Sequence, residues 1–225
     1  MRIETLGSGS SGNCYILSDN DGHSLILDAG IKSKDIKSAM NYDFSSVDGV
    51  LISHSHRDHS LAAEELEMLG LDVYRPYLID GGKDRKTFGA WAVQTFDLPH
   101  DGCDNCGFYI RHTSGFQMLY LTDFEFCKYV FTKAAVDFIL IEENWEQRYI
   151  DREAENFRHK CLGHASSEVT KEFIRVNATD NLKVVAICHT SYAMDIPYCL
   201  KEIRAILPEN VVVDVAEKGK VLKIC

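Results

Sequence analysis

No stretch of apolar residues in this chain approaches the ~20 needed to cross a bilayer as a helix. The opening Met1-Arg2-Ile3-Glu4 leads into a strand-like pattern rather than a secretion signal, so a cytoplasmic location is expected. Basic residues are in deficit: 24 Lys and Arg stand against 34 Asp and Glu, a formal charge of −10. That balance excludes the uniformly basic surface of a sequence-independent DNA coat. It leaves a nucleic-acid substrate open, because divalent cations held by carboxylates reverse the local sign of the field. A disulfide framework is also missing. The eight cysteines are scattered from Cys14 to Cys225, several inside apolar runs where a reduced thiol behaves as a small hydrophobe. No internal repeat or low-complexity linker interrupts the chain, and 45% hydrophobic with 26% charged residues is an ordinary globular composition. One domain, residues 1–225, is expected, burying roughly 70–75% of its unfolded surface.

What is present is a succession of short apolar, β-branched runs. Arg2–Leu6, Asn13–Leu17 and Ser24–Leu27 are separated by Gly-Ser and Asp-Gly turn signals and read as an antiparallel meander. A helix at Ser33–Met40, a strand at Gly49–Ile52 and a helix at Leu61–Leu69 follow. A second series runs through strands at 72–74, 91–96, 107–111, 117–121 and 137–141, a charged helical stretch from Trp145 to about Lys160, and a helix opening near Ser166. A strand at 183–188, a helix at 196–206 and strands at 211–215 and 220–224 close the chain. Strands then helices, twice over, predict an α/β protein with two sheets sandwiched between helices.

The densest chemistry is in His54-Ser55-His56-Arg57-Asp58-His59. Three imidazoles and a carboxylate in one tight loop would each need a separate buried partner if they were there for packing. Metal ligation is the economical explanation. His54 and His56 alternate about Ser55 and can point the same way from an extended segment, while Asp58 and His59 turn toward a second position.

These residues resemble the H-x-H-x-D-H signature of the metallo-β-lactamase superfamily, and further segments match its motifs in order. Asp28 in Leu25-Ile26-Leu27-Asp28-Ala29-Gly30 resembles the strand-end aspartate that supports the loop without ligating. His100 after Pro99, Asp123 after Thr122 and His189 after Cys188 resemble the remaining ligands. The resemblance implies a four-layer αββα sandwich. It assigns His54, His56 and His100 to one divalent metal and Asp58, His59 and His189 to another, with Asp123 shared. An all-nitrogen-and-oxygen shell suits Zn²⁺, Mn²⁺ or Fe. His23, His112 and His159 lie outside the motifs and read as ordinary.

Within the superfamily, Leu6-Gly7-Ser8-Gly9-Ser10-Ser11-Gly12-Asn13-Cys14 resembles the Gly-Ser-rich turn of YycJ-type (WalJ) exonucleases. Ile141-Glu142-Glu143-Asn144 and Gly163-His164-Ala165-Ser166-Ser167 resemble two more of that branch's motifs. Ala165 and Ser167 depart from the usual Leu and Asn, and Glu143 to Glu146 lack the usual Ser and His-Asp. The branch implies a metal-dependent exonuclease acting on DNA, with RNA left open, through a hydroxide held between the metals. Asp58 would orient that hydroxide and His164, outside the metal shell, would meet the phosphate or the leaving oxygen. Glu142 would support the site. Ser8, Ser10, Ser11, Arg158 and Lys160 are candidate phosphate contacts. Cys103 and Cys106 lack the second ligand pair that a structural zinc needs and read as inert thiols, the alternatives being a redox-sensitive or metal-touching pair or a third metal shared with another chain. The rival activity is a small-substrate hydrolase of the same fold, acting on a cyclic nucleotide, thioester or lactone, and a non-catalytic binding module is the remote alternative. The pattern does not fix an oligomeric state.

Overall fold

The computed structural model describes residues 1–224. Strands β1 (Arg2–Gly7), β2 (Cys14–Ser18), β3 (Ser24–Leu27), β4 (Val47–Leu51) and β5 (Val73–Tyr74) build one sheet. Strands β6 (Arg85–Phe88), β7 (Trp91–His100), β8 (Cys103–His112), β9 (Gln117–Leu121), β10 (Phe138–Glu142), β11 (Val184–Cys188) and β12 (Val212–Val215) build the other. The last strand, β13 (Val221–Lys223), returns to the first sheet beside β1. Pairing is antiparallel from β1 to β3 and from β6 to β9, and parallel from β3 to β5 and from β9 to β12.

The inner strands are buried on both faces, which is why their sequences read as continuous apolar runs rather than as polar alternation. In β9 and β10, Met118, Tyr120, Phe138 and Leu140 face the other sheet, packing with Leu25, Leu27 and Leu51. Their neighbours Leu119, Leu121, Ile139 and Ile141 pack outward against Phe173, Ile174 and Ile203. Those residues belong to helices α5 (Ser167–Asn177) and α6 (Ile196–Ala205). On the far side, α1 (Ser33–Ala39) and α3 (Ala63–Met68) cover the first sheet, Ile36 and Leu66 meeting Ile26, Val50 and Ile52. The result is the expected αββα sandwich. Helix α5 starts where its sequence says it should: the Ser166 hydroxyl accepts from the Val169 N–H, and Thr170, Phe173, Ile174 and Asn177 form a buried stripe at helical spacing.

Several elements differ from the sequence expectation. The charged stretch beginning at Trp145 is not a helix; it runs as turns until α4 (Phe157–Gly163). It lacks an apolar stripe, and its polar groups bond elsewhere: Glu146 Oε1 accepts from the Asp195 N–H at 2.6 Å, and Trp145 Nε1 donates to the His164 carbonyl at 3.0 Å. The helix expected over Leu61–Leu69 is α3 alone, preceded by a separate short turn, α2 (Arg57–Ser60), that carries Asp58 and His59. The hairpin of β7 and β8 extends through Pro99, Cys103 and Cys106, and β6, rich in charge, forms an edge strand that was not foreseen.

Candidate metal centre

The carboxyl-terminal ends of the parallel strands converge, the place where open α/β sheets present their functional groups. Asp28 follows β3, His54 lies just past β4, Asp123 follows β9, Glu142 ends β10 and His189 follows β11. Three of these, Asp28 (φ 56°), Asp123 (φ 52°) and His189 (φ 47°), sit in the left-handed region that non-glycine residues rarely adopt. Such strain persists where surrounding contacts over-determine it. Ser8 Oγ accepts from the His189 N–H at 3.0 Å and Asn144 Nδ2 donates to the His189 carbonyl at 2.8 Å. Asn105 Nδ2 donates to the Thr122 and Asp123 carbonyls at 2.9 and 2.5 Å.

His100 arrives from the second sheet at the tip of β7. Asp101 (φ 40°) and Gly102 (φ 81°) form the tight two-residue turn to β8, an Asp-Gly hairpin signal in the sequence. His100 Nδ1 donates to the Gly163 carbonyl at 2.6 Å, and a side chain at Gly163 would press against that ring at 3.2 Å.

Two donor groups result. Ligand atoms of His54, His56, His100 and Asp123 lie within 4.8 Å of one another, as do those of Asp58, His59, Asp123 and His189. Asp123 divides its carboxylate between them. Its Oδ2 lies 3.8 Å from His54 Nε2 and from His100 Nε2, and its Oδ1 lies 3.2 Å from His59 Nε2. Asp58 Oδ2 stands 3.6 Å from the Nε2 atoms of both His59 and His189.

The Nδ1 sides of His54, His59, His100 and His189 are held by hydrogen bonds, as is usual for histidines that ligate metal. Asp28 Oδ2 accepts from His59 Nδ1 at 2.7 Å and from the Tyr120 hydroxyl at 2.5 Å, and its Oδ1 accepts from the Ser53 N–H at 2.8 Å. Glu142 Oε1 accepts from the Nδ1 atoms of both His164 and His189 at 2.7 Å. Its Oε2 accepts from the Phe124 and Ala165 N–H groups at 3.1 and 3.2 Å. Glu142, His164, Asp123 and His189 also bring donors within 4.8 Å, but with both Glu142 oxygens so engaged we describe it as a hydrogen-bond hub.

The site tests well as a home for cations. His54 Nε2 and His189 Nε2 are buried and have no hydrogen-bond partner among the described residues, a cost of about 1–3 kcal/mol each unless a ligand takes the lone pair. Burial and the surrounding imidazoles push His54 well below the ordinary histidine range, and burial lowers His56 and His100 also, so this half presents neutral imidazoles. In the other half, burial works the same way but the Asp123 and Asp28 carboxylates outweigh it and hold His59 well above its usual range. Burial likewise opposes the charge on His189, yet Asp123, Asp58 and Glu142 raise it to about 10. Burial would raise Asp123, but His189 and His59 pull it well below the carboxylate range. These carboxylates demand positive charge, which imidazolium protons or a divalent ion can supply.

An open cleft of about 480 Å³ leads to these donors, lined among others by Ser8, Ser10, Ser11, Asp58, Lys160 and His164. Ser10 and Ser11 are exposed there. The Ser8 hydroxyl oxygen already accepts from Tyr15 at 3.0 Å as well as from His189. Arg158 does not line this cleft; it lies in a neighbouring cavity of about 900 Å³ beside Asp97, Asp101 and Glu125. His159, which lies outside the sequence motifs, does line the cleft, and its Nδ1 pairs with Asp101 at 2.9 Å. Asn13 is a further residue that the motifs did not distinguish: its Nδ2 lies 3.0 Å from His59 Nε2, and its Oδ1 accepts from the Gly9 N–H at 2.8 Å, tying the Gly-Ser turn to the donor cluster.

The two sheets, their order and the donor groups at their carboxyl ends define a metallo-β-lactamase-fold protein. YhfI, a metallo-β-lactamase-fold protein from Bacillus subtilis, superposes with a TM-score of 0.71 at 15% identity, covering 99% of both chains. In sequence, the chain is similar to exodeoxyribonucleases named WalJ and YycJ. It is 25% identical to the exodeoxyribonuclease WalJ of Streptococcus pneumoniae, over 85% of this chain and 82% of that protein. It is 26% identical to the exodeoxyribonuclease YycJ of Bacillus anthracis, over 55% of this chain and 54% of that one. A sequence model of the family described as Anti-Pycsar protein Apyc1 matches residues 1–74. No helix among the described residues is long and apolar enough to cross a membrane.

Proposed function

We propose that this protein is a dinuclear metal-dependent phosphodiesterase that degrades DNA as an exonuclease. The observation that carries the dinuclear assignment is the division of the Asp123 carboxylate between two donor groups. His54, His56, His100 and Asp123 would hold one ion, and Asp58, His59, His189 and Asp123 would hold the other. Zn²⁺ and Mn²⁺ suit this donor set, as does Fe. Such ions would supply Lewis acidity and lower the pKa of water to about 7, giving a nucleophile at neutral pH.

The chain's own residues do the rest. Asp58, whose side chain is 27% exposed at the cleft floor, orients the attacking water. Glu142 engages Nδ1 of His164 and so leaves Nε2 as the nitrogen available to substrate. Burial opposes a charge on His164, but the Glu142 carboxylate outweighs it and raises its pKa, favouring a proton that can be passed to the leaving oxygen. Lys160, Ser10 and Ser11 line the approach and bind phosphate oxygens. The similarity to WalJ across most of the chain supports DNA as the substrate.

A small-substrate hydrolase is the second reading, favoured by a cleft of about 480 Å³, a size that suits one small ligand. The deciding experiment incubates the protein with end-labelled single- and double-stranded DNA and RNA, a generic phosphodiester and a thioester, across Mn²⁺, Zn²⁺ and Mg²⁺. Stepwise loss of nucleotides from a DNA end is the expected result. Fast thioester turnover without nuclease activity would move the protein to the second reading.

A further inference from the structure

The mouth of the cleft carries one aromatic ring with no packing role. Tyr192 is 89% exposed, more than any other large hydrophobic side chain among the described residues. It stands three residues beyond His189 and lines the same cleft as Asp58, Asp123 and His164.

Its backbone is not loose. The Ser191 hydroxyl donates to the Asn144 carbonyl at 2.6 Å and accepts from the Ala193 N–H at 3.1 Å. On the other side, the Ala193 carbonyl accepts from the Glu146 N–H at 3.0 Å. An aromatic held out by pinned neighbours can receive a flat ligand at little cost in ordering. The Lys160 ammonium lies 5.0 Å from the centre of the Tyr192 ring and donates to Ser191 Oγ at 2.9 Å. Among the described residues, the hydrogen bond of the Lys160 ammonium goes to this hydroxyl and not to a carboxylate. The ammonium lies over one face of the ring, and the rest of this exposed ring is open to a base, so together they offer a nucleotide a π-surface and a cation for its phosphate.

Charge selects the same side of the molecule. The neighbouring cavity of about 900 Å³ is lined by Asp97, Asp101, Asp104 and Glu125 against Lys83, Lys128 and Arg158, and its Lys128 and Lys83 lie 2.6 and 3.6 Å from Asp97. In the catalytic cleft the carboxylates are Asp58 and Asp123, both in the donor groups. The first surface offers a polyanion no excess of positive charge, whereas cations held by the donor groups would make the second attractive to it.

We propose that Tyr192 is the stacking platform for a nucleobase next to the scissile phosphate, with Lys160 on the adjoining phosphate, so that the site recognises base-bearing phosphodiesters. This rests on the phosphodiesterase reading given above. The test measures kcat and KM of the Mn²⁺-loaded enzyme on a single-stranded oligodeoxynucleotide and on the same oligomer with abasic residues at both ends. Tyr192→Ala raises KM about tenfold or more on the normal oligomer with kcat within about twofold, whereas Tyr192→Phe and Tyr192→Trp stay within about threefold of wild type. On the abasic oligomer wild type is itself weakened, and Tyr192→Ala adds nothing. Equal loss on both oligomers, or no loss on either, overturns the platform while leaving the phosphodiesterase reading intact. A wild-type enzyme that cleaves neither oligomer overturns both.

Discussion

One oxygen of Glu142 sets the tautomer of two histidines at once, because His164 and His189 both present Nδ1 to it at 2.7 Å. The two imidazoles stack with centroids 5.2 Å apart, yet their tasks differ. His189 Nε2 turns into the donor group with Asp58, while His164 lines the cleft. His164→Ala should therefore keep both metals and lower kcat by about 10²–10⁴-fold with little change in KM, the signature of a contact made chiefly in the transition state. Metal analysis of the same variant discriminates: loss of an ion would make His164 a ligand. The shared carboxylate gives a complementary expectation. Asp123→Ala should lower occupancy at both positions, whereas His189→Ala should weaken mainly one, since His54, His56, His100 and Asp123 remain to hold the other. Titration of the purified variants with Zn²⁺ or Mn²⁺ measures this, and unchanged stoichiometry in Asp123→Ala would refute the bridge.

At the scale of elements, the site is built from strand ends and the turn that packs against them. Gly30, just past β3, lies so close to α2 that a Cβ there would fall 1.6 Å from the Asp58 carbonyl oxygen. That carbonyl also accepts from the Asn13 N–H at 2.8 Å, so it has no room to withdraw. Gly30→Ala should cost about 3 kcal/mol, a fall in Tm on the order of 10 °C, and should weaken metal binding by Asp58 and His59. A melt and metal content within error of wild type would mean the turn can shift freely. Much of this architecture is legible in the sequence because hydrophobic runs and ligand types are local signals: β3 and β9 have the bounds read from the sequence, and the site residues Asp28 and Asp123 follow them. What escaped depends on contacts distant in sequence. Trp145 to Asn156 carries charges at spacings that suit a helix, but Glu146 bonds to Asp195 and Trp145 to His164. Asn13 and Asn105 act by holding backbone and ring atoms that only the fold brings near. The Asp101-Gly102 hairpin, by contrast, had a visible signal in its dipeptide, obscured by Pro99 and the neighbouring cysteines.

For the molecule as a whole, a formal charge of −10 opposes any polyanion, so attraction must be local. The two basic residues singled out by sequence now separate. Lys160 lines the cleft and reaches Ser191, whereas Arg158 faces the acidic neighbouring cavity. Each phosphate contact made by a cation releases counterions and steepens the dependence of log(kcat/KM) on log[salt] by roughly 0.7 for single-stranded DNA. Lys160→Met removes the charge while keeping a long apolar side chain, so it should weaken activity on DNA of any sequence and flatten the salt slope by roughly 0.7 on single strands. Arg158→Met should leave the slope where it was. Steady-state rates on one oligonucleotide from about 50 to 200 mM salt compare the three proteins directly. A slope that flattens with Arg158→Met and not with Lys160→Met would mean that the strand crosses the acidic cavity, its carboxylates then being screened by cations bound outside the donor groups.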